Sequence, residues 1–252
     1  MRQSIDVLDH GFVKLIDYMG SDQRVLQAAR VSTGSHPSKG EKQDRGLIRY
    51  LYKNKHTSPF EKIVLEFHIK LPIFVARQWM RHRTQSYNEF SGRYSEFCFQ
   101  TYTPQSWREQ GEKNHQGSGK DLDPQAQTWL KDHYQSEMKS SQTFYNQTIE
   151  RGVAREMARL VIPVSQYTEF YTTINLWNLF HFLHLRLHPH AQYEIRVYAE
   201  AILSILETLD NLKWSVEIFK EMHTLEFLFQ EAIGKERKLD KLKSHLKDFI
   251  QE

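Results

Sequence analysis

The sequence predicts an α+β fold, a mixed or antiparallel sheet packed with helices. Strand-like segments concentrate before residue 104, and long stretches with apolar side chains at helical spacing follow it. The two patterns do not alternate as βαβ units would, which argues against a doubly wound parallel sheet. A helical half with such loaded faces is expected to pack back on the sheet.

Element by element, "SIDVLDHGFVKLIDYMGSD" reads as strand and turn, its β-branched and aliphatic residues broken by Gly11 and Gly20. "DQRVLQAARVS" and "KQDRGLIRYLYKNK" are helical, separated by the polar "TGSHPSKGE". "KIVLEFHIKL" alternates as a strand does, with Ile63, Leu65, Phe67 and Ile69 on one side. "PIFVARQWMRHR" opens a short helix at Pro72, and "FCFQTYTP" reads as another strand. The polar run "QSWREQGEKNHQGSGKDLDP" is an inserted surface loop, residues 105–124. From Pro124 to about Glu150 a long amphipathic helix is predicted, burying Trp129, Leu130, Tyr134, Met138, Tyr145 and Ile149. "VAREMARLVI", "NLWNLFHFLHLRL" and "AQYEIRVYAEAILSILETL" are helical, and the last stretch places Leu239, Leu242, Leu246 and Phe249 on one stripe of a surface helix.

At 252 residues, with 39% hydrophobic and 13% aromatic side chains, the chain can bury a substantial core. A net charge of +3 is too mild to predict nucleic-acid binding, though it suits anionic small molecules. One cysteine, Cys98, excludes an intrachain disulfide, so a reducing cytoplasm is the expected setting. No signal-peptide core is recognisable, and no segment approaches the roughly 20 apolar residues of a bilayer span.

The chemistry concentrates in "RHRTQSYNEFSGRY", Arg81 to Tyr94. Arginine is the residue of choice where a planar fork grips phosphate or carboxylate oxygens. On an extended backbone Arg81 and Arg83 lie on one side and His82 on the other, so two anionic groups can be served at once. Ser91-Gly92-Arg93 reads as a turn where backbone N–H groups, a hydroxyl and a guanidinium converge, as in many phosphate seats. Glu89 among them needs donors from a base, a ribose or an arginine. The plainer alternative is a solvated loop laced with Glu–Arg pairs.

Arg81-His82-Arg83 followed seven residues later by Ser91 resembles the signature of the flavin-dependent thymidylate synthases (the ThyX family). "AARVS" at 28–32, "HTSPFE" at 56–61, "PIFVARQW" at 72–79, "NEFSGRY" at 88–94, "REMARLVIP" at 155–163 and "NLWNLFHFLHLR…HAQYEIR" at 175–196 agree in order. The resemblance covers about residues 7–205 and implies one ThyX-like catalytic domain over 1–252, with a helical extension from about 206. It also implies a homotetramer with shared active sites that binds FAD and converts dUMP to dTMP. Methylenetetrahydrofolate gives the carbon and NADPH the hydride, with no role for nucleic acid, membrane or metal.

By family position, Gln78, Arg81, Glu89, Ser91, Gly92, Arg93, Arg159 and Arg186 would hold dUMP. Ser58, Arg81, His82, Arg83, Glu89, Asn175, Trp177 and His181 would touch FAD, with His56 near the folate and flavin entrance. Arg186 is the family's catalytic candidate. C5 of uracil is a poor nucleophile, and a fixed cation near N3 and the carbonyls would stabilise charge developing in the ring.

Ser91 has no evident activating base and suits a phosphate better than a covalent step. Cys98, between Phe97 and Phe99 in the expected strand, reads as inert. His181, His184, His188 and His190 have helical spacing, but no local carboxylate or cysteine completes a zinc set. At about 100° per residue, Asn175 and Arg186 point within roughly 20° of each other while His181 points away, which fits shared sites. Trp177 departs from the arginine or lysine common there, so a flavin phosphate or adenine contact is replaced by stacking or lost. Two rivals remain at this level. One is another flavin- or folate-dependent uracil methyltransferase, and the other is an RNA-binding module that stacks bases on Tyr87 and Tyr94.

Overall fold

A computed structural model describes residues 4–34, 37–38, 40–111 and 117–233. In chain order the elements are β1 (Ser4–Val7), β2 (Gly11–Met19), α1 (Asp22–Val31), α2 (Glu41–Lys53), β3 (Val64–Pro72), α3 (Ile73–Trp79) and β4 (Ser86–Glu89). Then come β5 (Arg108–Gln110), β6 (Ser118–Asp121), α4 (Pro124–Glu150), α5 (Arg155–Ala158), β7 (Tyr167–Asn175), α6 (Leu176–Arg186), α7 (Tyr193–Leu206) and α8 (Lys213–Ile233). This is the mixed α+β class that the sequence predicts. Among the described residues no helix is long and apolar enough to cross a membrane.

The chain divides into two compact units. The first comprises Met1–Asp17, Glu66–Ile174 and Pro189–Ile202. Its framework is a five-stranded sheet in the order β1-β2-β3-β7-β4, with β1–β2 and β4–β7 antiparallel. Alternation sends Val13 and Leu15 of β2, Phe67, Ile69 and Leu71 of β3, and Phe170 and Ile174 of β7 into the core. Gly11 is obligatory there: a Cβ would lie 2.0 Å from the Tyr198 hydroxyl, which donates to the Lys70 carbonyl at 2.8 Å.

The second unit comprises Tyr18–Leu65, Asn175–His188 and Leu203–Glu252. Its core gathers Val25, Leu26, Ile48, Phe60, Ile63, Phe180 and Phe219, the last two rings stacked at 4.6 Å. Arg30 and Asp44 form a buried ion pair, and Arg49 grips Glu221 through two bonds of 2.6 and 2.8 Å. Asp22 caps α8 from a distance, its carboxylate accepting from Trp214 N–H at 2.7 Å and Ser215 N–H at 3.1 Å. The predicted leucine stripe from Leu239 to Phe249 lies outside the described residues.

Four expectations fail. Strands are not confined to residues before 104, because β7 sits inside the sheet between β3 and β4. The segment 97–104 forms one isolated bridge, Thr101 to Gln166, instead of a strand. There the Gln166 side chain takes the ladder's place, accepting from Gln100 N–H at 3.1 Å and donating to the Cys98 carbonyl at 3.0 Å. The presumed loop 105–124 holds the antiparallel hairpin β5–β6. Finally, of the six α4 residues expected to be buried only Tyr145 is; Trp129 is 57% exposed and stacks on its i+4 neighbour His133 at 4.1 Å.

Candidate active site

In the first unit the arginine cluster follows directly from α3. Pro72 ends β3 with φ −63° and starts the helix, whose first N–H groups, on Ile73 and Phe74, donate to Gln166 and Val164 carbonyls at 2.9 Å. The helix stops at Trp79, and Arg81 and Arg83 emerge exposed with half-buried His82 between them. His82 is pinned through its backbone: its N–H donates to the Trp79 carbonyl at 2.9 Å, and its carbonyl accepts from the Tyr87 hydroxyl at 3.1 Å and Gln85 Nε2 at 2.9 Å.

Strand β7 then fixes everything after it. Ser86 pairs with Thr173 and Glu89 with Phe170. Thr172 Oγ1 donates to Gln85 Oε1 at 2.9 Å, and Thr168 Oγ1 donates to Glu89 Oε1 at 2.8 Å. Beyond Glu89 the chain turns at Ser91, whose carbonyl accepts from Tyr94 N–H at 3.0 Å and Ser95 N–H at 3.2 Å. Arg93 N–H points to Ser91 Oγ at 3.4 Å, and the exposed Arg93 guanidinium lies 5.1 Å from the Tyr94 ring. Gly92 is buried under Phe97, so the turn has no room for a side chain. A cavity of about 480 Å³ brings Glu89 and Gly92 together with Arg159, and adds Arg77 and Thr168. That volume is in the range of pockets for small ligands.

Gln78, on α3, donates its amide N–H to Gln192 Oε1. Sequence reasoning missed Arg77, one residue from Gln78 in the same block, and Gln192, in the quoted "HAQYEIR". It also missed a second cavity of about 490 Å³ over the sheet, lined by His68, Lys70, Glu169, Tyr171 and the exposed Cys98. There His68 meets Glu169 at 2.9 Å and stacks on Tyr171 at 4.5 Å. Only the alternation of β3 and β7 would have placed those side chains together.

The other named residues belong to the second unit. His56 and Ser58 are exposed on the turn after α2. Asn175 is the N-cap of α6, its Oδ1 accepting from Asn178 N–H at 2.9 Å. Trp177 is half-buried, its ring 5.6 Å from Tyr52 and 6.0 Å from Phe60. His181 is exposed, and Arg186 ends the helix half-buried, where burial lowers its guanidinium from the ordinary value. His184 points Nδ1 at His223 Nδ1 across 3.3 Å. Among the described residues no group of three or more His, Cys, Asp or Glu is placed to hold a metal ion.

Comparison with known proteins agrees with this layout. The family model described as thymidylate synthase complementing protein matches residues 14–210. A flavin-dependent thymidylate synthase of Thermus thermophilus is 50% identical over 227 residues, 90% of this chain and 81% of that protein. One from Wolbachia pipientis is 49% identical over 203 residues, 80% of this chain and 71% of its own. Among solved structures, the UMP/dUMP methylase PolB of Streptomyces cacaoi, bound with 5-bromo-dUMP, matches with a TM-score of 0.76 at 34% identity. That match covers 86% of this chain and 97% of the methylase. The chain therefore belongs to the family of flavin-dependent thymidylate synthases.

Proposed function

We propose that this chain is an FAD-dependent thymidylate synthase, a single catalytic domain acting as a cytoplasmic homotetramer. It converts dUMP to dTMP with methylenetetrahydrofolate as carbon donor and NADPH as reductant. The observation that carries the reading is the cavity where Glu89, Gly92 and Arg159 meet beside the Ser91–Arg93 turn. A nucleotide needs both a guanidinium-lined phosphate seat and an acceptor for sugar or base donors, and this cavity supplies both.

The donor set also fits a flavin dinucleotide. Arg81 and Arg83 are exposed on either side of a backbone-pinned His82, an arrangement suited to a diphosphate. Ser58, Asn175, Trp177 and His181 complete the proposed FAD set, and His56 stands at the folate entrance. Bound flavin supplies the hydride that reduces the transferred carbon to a methyl group. Gln78, Arg81, Ser91, Gly92, Arg93 and Arg159 bind and orient dUMP. Arg186 stabilises negative charge developing on the pyrimidine, and its partial burial strengthens that interaction by excluding water.

Purified protein given FAD should turn yellow and release tritium from C5-labelled dUMP only when folate and reductant are both present. Arg186→Ala should abolish release. Colourless protein that binds RNA with a steep salt dependence instead would overturn the reading. Because PolB is described as a methylase of UMP as well as dUMP, the same assay with C5-labelled UMP decides whether the ribonucleotide is also accepted.

A further inference from the structure

We propose that Arg77 is a second guanidinium of the phosphate seat, and that with Arg159 it makes the cavity favour a nucleotide monophosphate carrying two negative charges. The inference rests on the preceding assignment of that cavity to dUMP and adds a residue outside the set named there. All the residues concerned lie within the first unit.

Arg77 stands in the last turn of α3, where its buried neighbours Ala76 and Trp79 anchor the backbone. A guanidinium carried on a fixed backbone loses less freedom on gripping an anion than one carried on a loop. Elsewhere the chain commits guanidinium groups to carboxylates, as Arg30 to Asp44, Arg49 to Glu221 and Arg108 to Glu194. The exposed Arg77 side chain makes no hydrogen bond, ion pair or ring contact among the described residues, and it lines the cavity together with Arg159. Arg159 donates only through Nε, to the Glu156 carbonyl at 3.4 Å, which involves neither of its Nη groups. Glu89 is the acidic residue of that lining, and Thr168 Oγ1 already donates to its Oε1 at 2.8 Å. Two guanidinium groups against one carboxylate leave a surplus of positive charge. Most of the remaining lining is apolar, Ile73, Met80 and Ile162 among it, so an anion there is attracted more strongly than in water. A phosphate monoester presents three terminal oxygens, more than one planar fork can hold.

The charge of the ligand supplies the test. A phosphate monoester has its second pKa at about 6, so dUMP is a dianion near pH 7.5 and mostly a monoanion near pH 5. Arg77→Gln should weaken dUMP binding about tenfold at the higher pH, the low end for loss of a charge-assisted hydrogen bond. At the lower pH half the charge leaves half the Coulomb energy, and the loss should shrink to about threefold. Glu89 and Arg159, the other charged residues of the lining, are present in both proteins, so their own response cancels in the ratio. A side chain that merely shaped the cavity would give one ratio at both pH values. Arg77→Lys keeps the charge without the fork and should fall between Arg77→Gln and the unaltered protein, with the same dependence on pH.

The measurement is the dissociation constant of dUMP on FAD-loaded protein without folate or reductant, with thermal unfolding and flavin content to show each variant intact. Should Arg77→Gln fail to fold, Arg77→Met, which keeps the aliphatic stem, takes its place. A ratio that stays the same at both pH values, unaltered dUMP binding, or lost flavin with dUMP binding intact would overturn the role of Arg77. Arg159→Gln separates that failure from failure of the site, because it should weaken dUMP binding whether or not Arg77 takes part. If it does not, the cavity is not the nucleotide's, and the reading on which the inference rests falls with it.

Discussion

Gly92 sits so tightly under Phe97 that a Cβ would fall 2.3 Å from a ring carbon. The ring is itself held against Phe90 and Tyr145, at centroid distances of 5.2 and 6.2 Å, so it cannot swing aside freely. Gly92→Ala is expected to displace the Ser91–Arg93 turn, costing about 1–3 kcal/mol in stability and raising the dUMP requirement. Phe97→Leu in the same chain should recover part of both, as thermal unfolding and dUMP titration would record; no recovery would mean the turn tolerates the methyl group. Ser91 provides a separate test. Its hydroxyl lies 3.4 Å from Arg93 N–H, a position suited to holding an anion, and Ser91→Ala should keep measurable turnover with weaker dUMP binding. Complete loss of turnover with dUMP binding intact would identify a nucleophile instead. The turn itself was readable because Ser, Gly and Arg stand next to one another in the chain. The contact of Gln192 with Gln78 was not, since the two glutamines stand 114 positions apart.

At the level of elements, legibility followed the apolar pattern. Strands β2 and β3 alternate aliphatic and polar residues, whereas β7 buries Thr168 and Thr172, hydroxyl residues that a pattern of apolar burial passes over. Those two threonines hold Glu89 and Gln85, so the strand hidden from pattern reading is the one that positions the site. Helix α8 shows a related non-local dependence. Asp22, 5% exposed, accepts from the N–H groups of its second and third residues and from Ser215 Oγ at 2.5 Å. Asp22→Ala leaves buried donors unsatisfied and should cost about 2–3 kcal/mol, measurable by urea unfolding. Within the same unit, His223 stacks on Phe219 at 5.7 Å and faces His184 and Glu226, with His188 also near enough to lower its pKa. Burial, and then His184, lowers its pKa below the ordinary 6.5, while Glu226 opposes the shift. Folding therefore favours the neutral ring. The stability it contributes is full above the unfolded value near 6.5 and is lost as the pH falls below it. Melting temperatures compared between pH 8 and 5 should drop less in His223→Phe than in the wild type, and parallel curves would dismiss the effect.

For the whole molecule the decisive question is which chains furnish each site. Val153, Met157, Leu160 and Val164 are 39%, 55%, 73% and 63% exposed, a run of apolar side chains on either side of Arg159. Exposed apolar surface of this kind marks contact with another protein, and here it borders the cavity assigned to the nucleotide. The sequence suggested assembly through resemblance and through the two directions in which Asn175, Arg186 and His181 point, and not through this patch, because a side chain covered by a second chain leaves no periodic signal of its own. If the proposed homotetramer builds each site from more than one chain, two inactive variants must repair one another. Arg93→Ala and Arg186→Ala each remove one proposed contact of the nucleotide, and neither should turn over alone. When the two are unfolded together and refolded at equal amounts, a site drawing Arg93 and Arg186 from different chains is intact wherever it happens to draw both from the unaltered partners. Random pairing restores about a quarter of the sites, so tritium release should recover to about a quarter of the wild-type rate. If both arginines came from the same chain, every site would lack one of them and the mixture would stay inactive.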